Sequence, residues 1–385
     1  MRHPAGNQTL RIAFYAPLKP PDHPVPSGDR TIARLLIAAL KRGGAEVEIA
    51  SRIRARLAAP DEAEQRVLAA KGEAAARRLV AKYRARPKRL RPQAWFSYHL
   101  YYKAVDWIGP KVAEALNIPY FLAEASHAPK RAEGAYAFSH AGAEAAIRRA
   151  DAIFCLNPID RECLAPLVGK RRLIDLPPFL DLGSFSAGLP DRAKARATLA
   201  RAHGIDPDQP WLLAVGMMRK GDKLASYREL AAALQHLDRP WQLLIAGDGE
   251  ARADVARAMK PMAGGVFLLG VLPHARLRDA YAASDLFVWP AVNEAFGMAL
   301  LEAQACGLPA VAGAWGGVPS IIADGKTGWL SKPGDTVGFS ADIDFALDAD
   351  LAAIGRAARA KALKQHDIVV AAAILKNAIA RKVAR

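Results

Sequence analysis

Cysteine is scarce: Cys155, Cys163 and Cys306 are the only three in 385 residues. They are odd in number and follow neither a disulfide framework nor zinc-ligand spacing, which fits a reducing cytoplasm. No run approaches the roughly 18 to 20 apolar residues that a membrane-spanning helix needs. The opening MRHPAGNQTLRIAF has no apolar stretch of the kind a secretory signal carries. No short-period repeat and no low-complexity tract interrupts the chain, apart from an enrichment in alanine. No G-x-G-x-x-G is present, which argues against a dinucleotide oxidoreductase. No Asp-x-Asp stands at a strand end, so nothing marks a metal site for a diphosphate.

What is present is an apolar and basic chain. Hydrophobic residues make up 52%, and the formal net charge is +16. That composition excludes global disorder, and the length suggests two domains of ordinary size. The charge is uneven: residues 1–190 carry a net +12 and 191–385 only +4. Residues 52–92 alone hold 13 basic side chains against four acidic ones. Such a face attracts membrane phosphate, an acidic glycan or nucleic acid, or is simply solvated surface.

Short apolar runs alternate with amphipathic stretches throughout, the pattern of parallel sheets flanked by helices. In the first half, strands are expected at Arg11–Ala16, Glu46–Ser51, Tyr120–Ala123, Ala152–Leu156 and Arg172–Leu176, with a helix over Asp29–Arg42 stopped by Gly43-Gly44. The pattern restarts with Trp211–Val215, Trp241–Ala246, Val266–Leu269, Leu286–Trp289 and Pro309–Ala312. The hinge between the halves is placed near Ser184–Pro190. Residues 366–385 form an amphipathic helix with Ile368, Ala371, Ile374, Leu375, Ala378 and Ile379 on one side.

The most informative stretch is Asn293-Glu294-Ala295-Phe296-Gly297-Met298-Ala299-Leu300-Leu301-Glu302, running on to Cys306-Gly307-Leu308-Pro309. It follows an expected strand and opens a helix, whose first N–H groups around Phe296–Ala299 and dipole suit a diphosphate. Glu294 and Glu302 stand eight positions apart, about 12 Å along a helix. A glycosidase acid and base are only about 5 to 9.5 Å apart, so a shared acid/base pair does not fit. An extended ligand gripped at two hydroxyl-bearing ends does, with Glu294 taking sugar hydroxyls and Glu302 a ribose diol. Upstream, Val215-Gly216-Met217-Met218-Arg219-Lys220-Gly221-Asp222-Lys223 ends a strand on glycine and supplies a guanidinium and an ammonium for phosphate.

The E-x7-E context, followed by Gly316-Gly317-Val318-Pro319, Asp324-Gly325-Lys326-Thr327-Gly328 and Pro333-Gly334-Asp335, resembles the retaining glycosyltransferases of family 4. Ala246-Gly247-Asp248-Gly249-Glu250, Phe267-Leu268-Leu269-Gly270 and Tyr281 through Pro290 belong to the same resemblance, which covers nearly all of the second half. It implies an α/β GT-B fold: two Rossmann-like domains facing each other across a cleft, with the C-terminal helix returning to the first. The domains are drawn as 1–187 with 366–385, binding the acceptor, and 188–365, binding the nucleotide sugar. The resemblance assigns Lys223 and Arg219 to the donor phosphates, although Met217 occupies the position where the family has its arginine. Gly216, Phe296, Gly297, Met298 and Ala299 would also line the donor, with the base contacted by backbone at Gly270, Val271 and Leu272.

The first half resembles the family more weakly. Pro26-Ser27-Gly28-Asp29-Arg30 falls where the family has a glycine-rich loop facing donor and acceptor, which assigns Gly28 to the donor. Asp29 reads either as part of that loop or as a helix N-cap. His127, after an expected strand, is similar to the histidine whose region contacts the transferred sugar. Leu176-Pro177-Pro178-Phe179-Leu180-Asp181 looks like the interdomain crossover without its usual Asn-Gly pair.

The function implied is metal-independent transfer of a hexose from a UDP- or GDP-sugar to a glycan or lipid-linked acceptor. The anomeric configuration would be retained, cell-envelope polysaccharide synthesis is the setting, and no cofactor is required. Alternatives are a sugar-nucleotide epimerase of the same fold and a non-catalytic nucleotide-sugar-binding protein. Nucleic acid is not expected as a partner. The basic stretch 52–92 suggests a peripheral hold on an anionic membrane face, while Leu68, Leu79, Val80 and Tyr83 give the same segment an apolar side that reads equally as core.

Overall fold

The computed structural model describes residues 9–25, 27–186 and 188–383. Pro26 of the expected glycine-containing loop and Ala187 of the expected hinge lie outside the described residues. The chain divides into two units, Met1–Pro177 with Ile368–Arg385 and Pro178–Asp367. Hydrogen bonds at the crossover agree with this division. The Leu180 N–H donates to the His366 carbonyl at 2.9 Å, and His366 Nδ1 lies 2.6 Å from the Pro178 carbonyl oxygen. Residues 178–180 are thereby tied to the chain as it leaves the second unit, and the expected border at 187/188 falls inside that unit. Burial pushes the His366 imidazole down to about 4, so it is neutral at pH 7 and its other nitrogen can accept from Lys361 Nζ, 3.1 Å away.

In the first unit, β1 (Arg11–Tyr15), β2 (Glu46–Ser51), β3 (Ala94–Leu100), β4 (Tyr120–Ala125), β5 (Ala152–Cys155) and β6 (Leu173–Asp175) form a parallel sheet in the order β2-β1-β3-β4-β5-β6. In the second, β7 (Trp211–Val215), β8 (Gln242–Ala246), β9 (Val266–Gly270), β10 (Leu286–Trp289), β11 (Ala310–Gly313) and β12 (Gly328–Ser331) repeat the plan as β12-β11-β10-β7-β8-β9. The strand order reverses between β1 and β3 and again between β7 and β10. In open α/β sheets, ligands collect outside the carboxyl ends of strands at such a reversal.

Two strands escape the expected pattern. β3 lies beside β1 in the middle of its sheet and is almost wholly buried, yet Ser97 and His99 break its apolar run. The buried polar groups are satisfied internally: Trp95 Nε1 donates to Ser97 Oγ at 2.8 Å, and Ser97 donates to Asp106. Asp106 also accepts from the N–H groups of Ile108 and Gly109 and from Tyr120 Oη, at 2.7 to 3.0 Å. Burial still raises its carboxyl above the usual range despite those four donors. β12 has only four residues, led by a glycine.

The terminal helix Ile368–Val383 belongs to the first unit. It buries Ile368, Ala371, Ala372, Leu375 and Ile379 and packs against the helix Gly28–Arg42. Each large aliphatic side chain so buried contributes about 1.5–3 kcal/mol. Counted by unit, the first holds 34 basic and 17 acidic residues, the second 20 and 21. The excess positive charge of the molecule is therefore a property of the first unit.

Candidate functional site

At the β7/β10 reversal two loops meet. The first runs from Gly216 to the helix Asp222–Leu234, the second from Pro290 to the helix Met298–Ala305. Lys223, in the first turn of one helix, pairs with Glu294 Oε2 on the opposite loop. Its ammonium also stands 5.3 Å from the centre of the Trp289 ring, a cation–π arrangement. Glu294 Oε1 accepts from the Gly297 N–H at 3.3 Å, which ties the carboxylate to the start of the second helix. Their side chains are 33% and 17% exposed, so the pair is open to a ligand.

The loop carrying Glu294 is strained. Ala291 and Asn293 adopt φ of 58° and 50°, a region that costs of order 1–3 kcal/mol for a residue with a side chain. It is held by neighbours on the facing helix: the Val292 N–H donates to Ser226 Oγ at 3.0 Å, and Asn293 Nδ2 donates to Asp222 Oδ1 at 3.1 Å. Gly297 forms the N-cap of Met298–Ala305 with φ of 70°, and no side chain caps this helix. Phe296 is buried, while Met298 and Ala299 are half-buried. Because the helix begins only at Met298, Glu294 stands outside it and the helical rise applies to only part of the interval to Glu302.

The glycine motifs of the second half are spacers between these loops. A Cβ at Gly247 would overlap the Gly216 carbonyl oxygen, and one at Gly316 the Glu294 carbonyl oxygen. Gly216 in turn is held by Tyr227 Oη, which donates to its carbonyl at 2.8 Å, and its N–H donates to Ala246 O at 3.0 Å. The Gly247 N–H reaches Gly270 O at 2.8 Å, so the ends of β7, β8 and β9 are joined in one row. Val271 is 75% exposed and Leu272 half-buried. Met218 is fully buried, whereas Met217 is 38% exposed and Arg219 is exposed. Glu302 accepts from Tyr281 Oη at 2.8 Å, and burial pushes its carboxyl up to about 7 against the effect of that bond.

The first unit carries a second polar cluster at its own reversal. The N-cap of Gly28–Arg42 is Ser27, whose Oγ accepts from the Arg30 N–H at 3.3 Å. Asp29 is therefore not the cap, and its Oδ1 lies 2.9 Å from His99 Nδ1 at the end of β3. Glu124, at the end of β4, approaches the same nitrogen at 3.9 Å. His99 and Glu124 both have left-handed backbones, φ 59° and 55°, and Glu124 Oε2 is buried without a hydrogen-bond partner. Burial pulls the imidazole of His99 down, but Glu124 and Asp29 outweigh it and raise it above the ordinary value. Gly28 has open space where a side chain would project. Nothing in the sequence marked His99, and Glu124 was visible only as part of Glu124-Ala125-Ser126-His127.

His127 packs against the helix Ala137–Arg149. Its Nε2 lies 3.2 Å from Glu144 Oε2, its ring centre is 4.9 Å from that of His140, and its side chain is 9% exposed. The sequence expectation for His127 is a sugar contact; in the structure its neighbours are Glu144 and His140.

Residues 209–349 match the family described as Glycosyl transferases group 1. A D-inositol 3-phosphate glycosyltransferase of Xylanimonas cellulosilytica is 32% identical over 57% of this chain and 52% of its own length. One of the same name from Actinosynnema mirum is 32% identical over 49% and 47%. The chain thus spans about half the length of the curated relatives it matches. Among solved structures, a sucrose-phosphate synthase of Thermosynechococcus elongatus superposes with a TM-score of 0.73 at 21% identity, covering 97% of this chain and 99% of that one. HepE of Anabaena in complex with UDP gives 0.73 at 15% identity, covering 97% and 100%. These likenesses show the two-domain α/β GT-B fold.

Proposed function

We propose, from the premise that residues 209–349 are a domain of the glycosyl transferases group 1 family, that this protein moves a hexose from a UDP- or GDP-sugar to an acceptor hydroxyl with retention at the anomeric carbon. The observation that carries the reading is the Lys223–Glu294 pair at the β7/β10 reversal. A diphosphate arriving there takes the Lys223 ammonium from Glu294, and the released carboxylate oxygen accepts a sugar hydroxyl. Each group thus has a partner both with and without donor, so neither charge is left unpaired in a partly buried place. Arg219 and the uncapped start of Met298–Ala305 add donors for the negative charge that builds on the departing diphosphate. Backbone groups at Gly270, Val271 and Leu272 hold the base, and Glu302 the ribose diol. No protein group is assigned as base toward the acceptor, and the His127 imidazole is given no sugar contact. HepE was solved with UDP and with UDP-glucose, which supports a uridine donor for this fold. The test is nucleotide release from a panel of UDP- and GDP-sugars.

The raised Glu302 gives this reading a pH signature. A neutral carboxyl accepts poorly from both ribose hydroxyls, and ionisation at about 7 restores the acceptor. Nucleoside diphosphate affinity measured by calorimetry should tighten about tenfold from about pH 6 to about pH 8, as expected for one group titrating in that window. Glu302→Gln should flatten the profile; a wild-type affinity that is level across this range would remove Glu302 from the site.

The acceptor is proposed to be a glycan or a lipid-linked saccharide of envelope polysaccharide synthesis, bound by the first unit, with that unit on an anionic membrane face. The helix Glu62–Ala85 buries Leu79 and Tyr83 in the core and half-buries Leu68 and Val80, so most of its apolar side is core. Beside it Arg77, Arg84 and Lys111 line a groove of about 360 Å³ together with Val80, Ala115 and Glu73, which pairs with Lys111 at 2.9 Å. Among the described residues no helix is long and apolar enough to cross a membrane. Binding to vesicles containing anionic lipid should be strong at low salt and lost at high salt; equal flotation with neutral vesicles would contradict it.

A further inference from the structure

We propose that His127, His140 and Glu144 form a site for a divalent transition metal, zinc by the character of its ligands, that fastens the segment after β4 to the helix Ala137–Arg149. His140 and Glu144 are four apart on that helix and so share a face. The chain after β4 brings the second imidazole, His127, to the same place. One ligand atom from each of the three residues can be chosen so that all lie within 4.8 Å of one another.

Geometry and chemistry agree on the metal. Zinc bonds nitrogen and oxygen at about 2.0–2.2 Å, which in a tetrahedron puts ligand atoms about 3.3–3.5 Å apart. His127 Nε2 and Glu144 Oε2 already stand 3.2 Å apart, and the remaining edges close by about 1.5 Å at most through side-chain rotation. Two imidazoles and one carboxylate, with water as the fourth ligand, suit zinc, whereas magnesium and calcium take oxygen. Arg148 holds the other carboxylate oxygen: its Nε donates to Glu144 Oε1 at 2.8 Å. That contact orients Oε2 toward the imidazoles, the service outer-sphere partners give metal ligands.

The independent observation is His140. The residue is 5% exposed, and its Nε2 is buried with no hydrogen-bond partner. A buried ring nitrogen without a partner is uncommon in a folded protein, and a metal would satisfy it. The site belongs to the first unit and shares no residue with the Lys223–Glu294 pair of the second.

The test uses the full chain, produced without a polyhistidine tag and stripped with a chelator. Zinc titration by calorimetry should show one site per chain, Co²⁺ should give the visible absorption of a tetrahedral complex, and the melting temperature should rise with zinc but not with magnesium. His140→Gln and Glu144→Gln should each weaken zinc binding at least tenfold, while His203→Gln on the second unit leaves it unchanged. Should His140→Gln fail to fold, Glu144→Gln decides, since that side chain is 28% exposed. Absence of stoichiometric zinc uptake by the folded wild type, or uptake unchanged in Glu144→Gln, would overturn the assignment.

Discussion

Lys223→Ala and Glu294→Ala should each lower sugar transfer and donor hydrolysis by roughly 10²–10³, the loss seen when one preorganised stabilising group is removed from a transition state. The thermal midpoint should hardly move. Exposed and half-exposed ion pairs contribute about 0–1 kcal/mol to folding, and this one is 33% and 17% exposed. Each side chain also keeps a second contact after its partner is gone: Lys223 over Trp289, Glu294 at the Gly297 N–H. Lys220→Ala, on an exposed turn, serves as the control for loss of a nearby positive charge and should retain most activity. Turnover at the wild-type level in either variant would remove the pair from the reaction, and a large drop in melting temperature would make its role structural.

Gly247→Val should act the opposite way, on the fold first. Gly247 has φ of 148°, and a Cβ there would overlap the Gly216 carbonyl oxygen and stand 2.9 Å from its carbon. The atoms in the way are backbone, so no rotamer change relieves the clash and the ends of β7 and β8 must separate. A loss of about 2–5 kcal/mol is expected, in the range of strained or overpacked core substitutions. For a unit of this size that lowers the melting temperature by roughly 4–20 °C. Gly264→Ala, where nothing lies within 4 Å, should melt with the wild type. Calorimetric scans of the two variants side by side settle the point: equal melting of Gly247→Val and wild type would mean the two loops are not packed this closely.

The two glycine-rich loops show what a sequence exposes and what it hides. Glu294, Gly216, Lys223 and the start of the helix at Met298 were legible because each sits within a few residues of a short apolar strand, and strand, loop and helix follow one another locally. β2, β7 and β10 have the expected bounds for the same reason. β3 was not legible, since Ser97 and His99 interrupt its apolar run and only the distant Asp106 and Asp29 explain why they are tolerated. The Asp29–His99–Glu124 cluster joins the first turn of a helix to two strand ends by long-range contacts, and a left-handed φ at His99 or Glu124 leaves no trace in residue type. The turn of His127 toward Glu144 and His140 is a matter of side-chain direction, which spacing along the chain does not set.

Charge illustrates the same division. The sequence shows a basic molecule with a basic first half, and the structure assigns the terminal helix to that first unit. The second unit is left with 20 basic and 21 acidic residues. Its proposed affinity for a diphosphate therefore comes from particular groups at the β7/β10 reversal and not from a general positive field, which is why single substitutions there are expected to matter so much.

The second unit is proposed to bind a nucleotide diphosphate sugar whose anomeric bond the protein cleaves. The most direct measurement is nucleotide release by the full chain from a panel of UDP- and GDP-sugars, with Lys223→Ala run in parallel. UDP or GDP should be released from at least one donor, with the free or transferred sugar appearing in equal amount and Lys223→Ala nearly silent. Binding of nucleotide sugars without release, conversion of the donor to an epimer, or release that is undiminished in Lys223→Ala would contradict the proposal.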